Sequence, residues 1–175
     1  MARLFKNKGA RVINADRLAH EVFQKGNPVS SRIRSLFGGQ KKNLTRAKIA
    51  EVVFKDAKKR RALEAVIHPY VFLRIREELK RPGKKIVILE VPLLFESGFN
   101  GRCDRNIVVR TKTDTALKRL HRIGISRAEA KARWRAQWPI GKKIRRADYL
   151  IDNSDGLRTT KLQVEKVWNK LNQLV

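Results

Sequence analysis

Acidic residues are scarce in this chain. Asp and Glu together number 16 against 42 Lys and Arg, so the formal net charge is +26 over 175 residues. Such a surface attracts polyanions: nucleotides, phosphorylated cofactors, nucleic acid or acidic membranes. The positive charge is spread along most of the sequence, which excludes a discrete basic tail. There is one cysteine, Cys103. It excludes an internal disulfide and fits a reducing compartment. Long apolar runs are missing too. The longest, Ile86 to Phe95, is interrupted by Glu90, and a bilayer span needs roughly 20 apolar residues. The first residues, Met1 to Asn14, are basic but have no apolar stretch of the kind a secretory signal uses. The expectation is a soluble cytoplasmic protein. His20 and His121 have no Cys or carboxylate at ligand spacing, which argues against a zinc site.

What is present is enough for a core. Hydrophobic residues make up 42% of the chain, so wholesale disorder is excluded. One domain over residues 1–175 is the expectation for this length. Three short, β-branched apolar segments read as buried parallel strands: residues 10–14, 85–91 and 105–110. A fourth, shorter candidate is 148–152. Helical patterns fill the intervals. Met1 to Lys8 reads as a helix stopped by Gly9, and Arg17 to Gln24 as a short helix. Thr45 and Asp56 are positioned to cap two more, and Pro69 to start another that runs to Lys80. A further helix spans Thr113 to Arg122. Ser126 and Glu129 form a capping box for one running to about Gln137, and the last covers Leu157 to Leu174. Strands alternating with helices imply an α/β fold with a parallel sheet and helices on both faces. The helical block of about 17–80 reads as an insertion.

Ligands of open α/β sheets bind beyond the carboxyl ends of the strands. Asp16 follows the first strand and opens a helix. Its carboxylate can take a proton from a substrate hydroxyl or serve as an ordinary N-cap. Glu90 ends the second strand, where a carboxylate can hold Mg²⁺ or face solvent. His68 lies at a helix junction, where packing or capping is the plainer reading. Arg119 to Arg146 is the most basic stretch, with Glu129 its only acid and Trp134 and Trp138 among the cations. Such an arm can close over a triphosphate, bind nucleic acid or be a solvated face.

In this order the pieces resemble the dephospho-coenzyme A kinase family. Val12-Ile-Asn-Ala-Asp16 is similar to its V-I-D-A-D segment, with Asn14 for the first Asp. Gly26-Asn-Pro28 is similar to its G-x-P loop and His68-Pro69 to its H-P motif. Pro92-Leu-Leu-Phe-Glu96 resembles its P-L-L-F-E signature, preceded by Glu90 for the common Asp. Arg122-Ile-Gly-Ile-Ser126 resembles the turn into its lid, and Gln137 with Ala147 to Asn153 its closing motif.

The resemblance implies a P-loop kinase-like sheet with a helical acceptor-binding insertion and a lid at about 119–146. It implies phosphorylation of the ribose 3′-hydroxyl of dephospho-coenzyme A by ATP with Mg²⁺, the last step of coenzyme A synthesis. It makes Asp16 the candidate base, and His68, Pro92, Leu93, Leu94 and Phe95 the acceptor side. Arg122, Lys143 and Arg119 become the ATP contacts, and Glu90 a metal residue acting directly or through water. No specific nucleic acid and no membrane partner is expected.

The family's G-x-x-x-x-G-K-[ST] loop has no match in this sequence. Gly9 ends a helix, and no strand precedes Gly38-Gly39. The central first strand that carries this loop is missing with it. The expectation is a protein that starts earlier by roughly 15–20 residues, and a chain inactive by itself. The alternatives are a non-catalytic kinase-like protein that binds coenzyme A-type ligands and a basic nucleic-acid-binding protein.

Overall fold

The computed structural model describes residues 1–24, 26–38, 45–135 and 137–175, with the backbone alone at 46 and 54. The chain divides into two compact units, Arg11–Val91 and Met1–Ala10 with Pro92–Val175.

In the first unit, β1 (Arg11–Asn14) and β2 (Val87–Glu90) pair in parallel, with Asn14 opposite Glu90 at their carboxyl ends. Both strands lie within the segments read as buried from their β-branched content. Four helices stand between them in sequence: α2 (Ala15–Glu21), α3 (Ser30–Leu36), α4 (Arg46–Lys55) and α5 (Ala57–Lys80). The caps anticipated for α4 and α5 form. Thr45 Oγ1 accepts from Lys48 N at 3.3 Å, and Asp56 Oδ1 accepts from Lys58 N and Lys59 N at 2.8 and 3.0 Å. Their core gathers Val22, Ile33 and Ile49, with Leu63, Val66 and Ile67 of α5 packed against it.

One expectation fails here. Pro69 does not start a helix; it lies inside α5, which runs unbroken for 24 residues. Proline in a helix interior forfeits a hydrogen bond and costs about 3 kcal/mol. The apolar face continues on both sides of it, through Leu63, Val66 and Ile67 before and buried Val71 and Ile75 after. Tertiary burial of that face outweighs the local penalty. α3 was not anticipated, since Ile33 is its single buried residue and no apolar period announces it. Gly39 lies outside the described residues.

In the second unit, β3 (Ile107–Arg110) and β4 (Tyr149–Asp152) form a parallel pair, with Val109 opposite Ile151. α1 (Ala2–Asn7) and β4 pack against α9 (Leu157–Asn172). Phe5, Ile151, Thr160 and Val164 are each at most 1% exposed there. α6 (Thr113–His121), α7 (Arg127–Arg135) and α8 (Ile140–Ile144) make up the basic arm. A turn with φ +79° at Gly124 ends α6. Gly124 N donates to His121 O and Ile125 N to Leu120 O, both at 3.0 Å, the paired closure of a left-handed cap. The capping box then starts α7: Ser126 N donates to Glu129 Oε2 and Glu129 N to Ser126 Oγ, both at 3.2 Å. α7 is described as far as Arg135, and Gln137, the end expected for it, lies outside the helix.

Among the described residues the strands form two ladders, β1 with β2 and β3 with β4. No helix among them is long and apolar enough to cross a membrane.

Candidate active site

Asn14 organises the carboxyl ends of β1 and β2. Its Oδ1 accepts from Arg17 N at 2.8 Å, capping α2. Its Nδ2 donates to Glu90 Oε2 at 2.7 Å. The capping role open to Asp16 is therefore filled by Asn14. Asp16 sits exposed in the first turn of α2, with no hydrogen bond or ion pair to any described residue. With no partner of its own, this carboxylate is free to accept a proton from a substrate hydroxyl. Glu90 keeps Oε1 without a described partner while Oε2 is held.

The far end of α2 is fixed to α5. Tyr70 Oη donates to Glu21 Oε2 at 3.1 Å, and Arg74 Nε donates to the same oxygen at 3.0 Å. Arg74 also pairs with Glu77. Burial and the Glu21 carboxylate push the Tyr70 phenol above its ordinary pKa. His68 is half-buried and stacks on Phe72, with ring centroids 6.0 Å apart and planes at 27°. The insertion thus holds Asp16 on a helix braced at both ends.

In the second unit the Pro92–Glu96 loop faces two ways. Pro92 and Leu93 are exposed, Leu94 is half-buried, and Phe95 is only 4% exposed. Phe95 stacks on Trp138, centroids 6.4 Å apart. Glu96 Oε1 accepts from Trp138 N at 2.7 Å and pairs with Lys143 Nζ at 2.8 Å. Lys143 Nζ also donates to Gln137 Oε1 at 3.1 Å. Burial pushes the Glu96 carboxyl up, but the Lys143 ammonium and the Trp138 N–H hold it below the usual Glu value. Of the three cations read as ATP contacts, then, Lys143 is engaged internally. Arg119 Nη1 donates to Asn153 O at 2.8 Å. Arg122 is exposed, and its guanidinium has no described partner.

The loop after β4 is tied down repeatedly. Arg110 Nε donates to Asp152 Oδ2 at 2.7 Å, and Thr160 Oγ1 to Asn153 Oδ1 at 3.0 Å. Hydrogen bonds from Ser154 and the Arg110 guanidinium lower Asp152 to about 2. Asn14, Glu96 and Asp152 carried no assigned role in the sequence reading. The available signal was the scarcity of acids: a carboxylate kept at the end of an apolar segment in so basic a chain has a local reason.

The model of the family described as dephospho-CoA kinase matches residues 1–159. The chain belongs to that family. Dephospho-CoA kinase of Aquifex aeolicus is 35% identical over 178 residues, which cover 99% of this chain and 91% of that protein. Dephospho-CoA kinase of Symbiobacterium thermophilum is 39% identical over 176 residues, covering 96% of this chain and 74% of that one. Among solved structures, TT1252 from Thermus thermophilus is similar with a TM-score of 0.84 and 34% identity, over 99% of this chain and 90% of its own. Dephospho-CoA kinase from Campylobacter jejuni gives a TM-score of 0.67 at 28% identity, over 98% of this chain and 90% of its own. The fold is the α/β fold of P-loop kinases, as the alternation of strands and helices and the motif order anticipate.

Proposed function

We propose that this family member transfers the γ-phosphoryl group of ATP to the ribose 3′-hydroxyl of dephospho-coenzyme A. The observation that carries the reading is Asp16: an exposed carboxylate, free of partners, on a helix capped from the strand end by Asn14. It accepts the proton of the attacking hydroxyl, a contribution of about 10²–10⁴ in rate for a positioned base. Little covalent work is asked of the protein beyond that; positioning and charge compensation do the rest. Arg122, exposed and uncommitted, supplies positive charge to the transferred group. Arg119 orders the loop at Asn153, three positions before Arg122 in the same arm. His68 and the exposed face of Pro92–Leu94 contact the acceptor.

Mg²⁺ in such sites takes one or two carboxylates and keeps substrate phosphates and waters for the rest. Glu90 fits that demand, with one oxygen held by Asn14 and the other unengaged among the described residues. When bound, the ion neutralises charge on the phosphate oxygens. The reaction belongs in the cytoplasm, in keeping with the lone Cys103.

The test is phosphoryl transfer from ATP to dephospho-coenzyme A, with the product's phosphate located by NMR. Both the 175-residue chain and one extended to any upstream in-frame start are assayed. Activity on the 3′-hydroxyl is expected. Transfer to another acceptor, or none from either form, overturns the reading.

A further inference from the structure

Proton abstraction and charge compensation leave Glu96 without a task, yet it is held by more contacts than any proposed catalytic group. Its side chain is 12% exposed and that of Lys143 10%. Oε1 receives both the Trp138 N–H and the Lys143 ammonium, while Oε2 is enclosed and has no partner. Phe95, the preceding residue, stacks on the Trp138 ring. Lys142 Nζ lies 3.7 Å over the centre of that ring, with the Arg146 guanidinium 5.1 Å from it. One short segment, Phe95–Glu96, thus grips the arm from Gln137 to Arg146 by stacking, a backbone hydrogen bond and an enclosed ion pair. Enclosed ion pairs give little net stability compared with apolar packing of the same volume. In some proteins such a pair instead fixes the register between the segments it joins.

We propose that Glu96 is a positioning residue that clamps the Pro92–Glu96 loop to the arm, and that Lys143 acts through Glu96 and not on the phosphates of ATP. This rests on the kinase reading above, in which the loop touches the acceptor and the arm carries Arg119 and Arg122. The setting of the ATP side then depends on the acceptor-side loop. A Lys143 that bound phosphate would have to leave a carboxylate that is 12% exposed and otherwise neutralised only by N–H dipoles.

A double-mutant cycle tests this: E96Q, K143M and E96Q/K143M, read as kcat and KM for ATP. Each single change is expected to raise KM about tenfold with kcat moved much less, and the double to be no worse than the worse single, as for contacting residues that act as one unit. Additive losses, or a loss in K143M that E96Q does not share, would place Lys143 on ATP and overturn the proposal. A second readout is independent of activity. Hydrogen exchange at the Trp138 amide, measured without substrate, is expected to quicken about tenfold in either single variant as the clamp opens locally. An unchanged exchange rate refutes the clamp even if the protein proves to have no kinase activity. Faster exchange in an inactive protein would uphold the clamp and sink the kinase reading instead.

Discussion

Replacing Asn14 separates two jobs done by one side chain. Its Oδ1 caps α2 and its Nδ2 holds Glu90, at 2.8 and 2.7 Å. Loss of an N-cap costs about 0.5–2 kcal/mol. A hydrogen bond to a charged group contributes about 1.5–3 kcal/mol. Asn14 is half-buried, so water replaces part of each interaction, and the lower half of both ranges applies. Asn14→Ala should therefore lower stability by about 2–3 kcal/mol. Asn14→Ser keeps a capping oxygen but cannot reach Glu90, and should lose about 1.5–2 kcal/mol. Urea unfolding of the three proteins, followed by circular dichroism at constant m-value, gives the two differences. If the serine variant matches the parent, the bond to Glu90 adds nothing to the fold. If alanine costs less than about 0.5 kcal/mol, the cap argument fails as well.

Three further outcomes are expected. Lys143→Met leaves the enclosed Glu96 carboxylate uncompensated and should cost about 3–5 kcal/mol, whereas Glu96→Gln with Lys143→Met should return to within about 1 kcal/mol of the parent, measured by the same unfolding. Asp16→Asn should lower kcat about 10²–10⁴-fold with KM for both substrates nearly unchanged; a change in KM alone would make Asp16 a binding group. The third concerns acid. The carboxyls of Glu96 and Asp152 lie below their unfolded values, Asp152 at about 2. Their contribution is fully present above the unfolded range of about 4 and is lost as pH falls through the folded values. Unfolding free energy should thus decline steadily from about pH 4 towards 2, and Asp152→Asn should flatten the lower part of that decline.

The four strands were legible because each is a short β-branched apolar run with polar ends, and burial makes that pattern hard to imitate. The caps at Thr45, Asp56 and Ser126 were legible because capping is a local event, decided by residues three apart. The course of α5 through Pro69 was not, since only its partners α2, α3 and α4 show why the apolar face must continue. The site was half legible. Asp16 and Glu90 stand out by their place after a strand, but the amide between them looks like a mere departure from a motif. Lys143 shows how far position alone reaches: its charge is visible in sequence, and its enclosed partner 47 positions earlier is not.

The turn at Gly124 has an unusual kind of selectivity. Apart from its chain neighbours, no described residue comes within 4 Å of where a Cβ would stand, so a methyl group meets no obstacle of space there. The obstacle is the backbone at φ +79°, which L-residues disfavour by about 1–2 kcal/mol. Handedness, then, is what this joint reads. A D-alanine installed by chemical ligation should be accepted where its mirror image is resisted. By narrowing the choices of the unfolded chain it should even hold the elbow between α6 and α7 more firmly than glycine does.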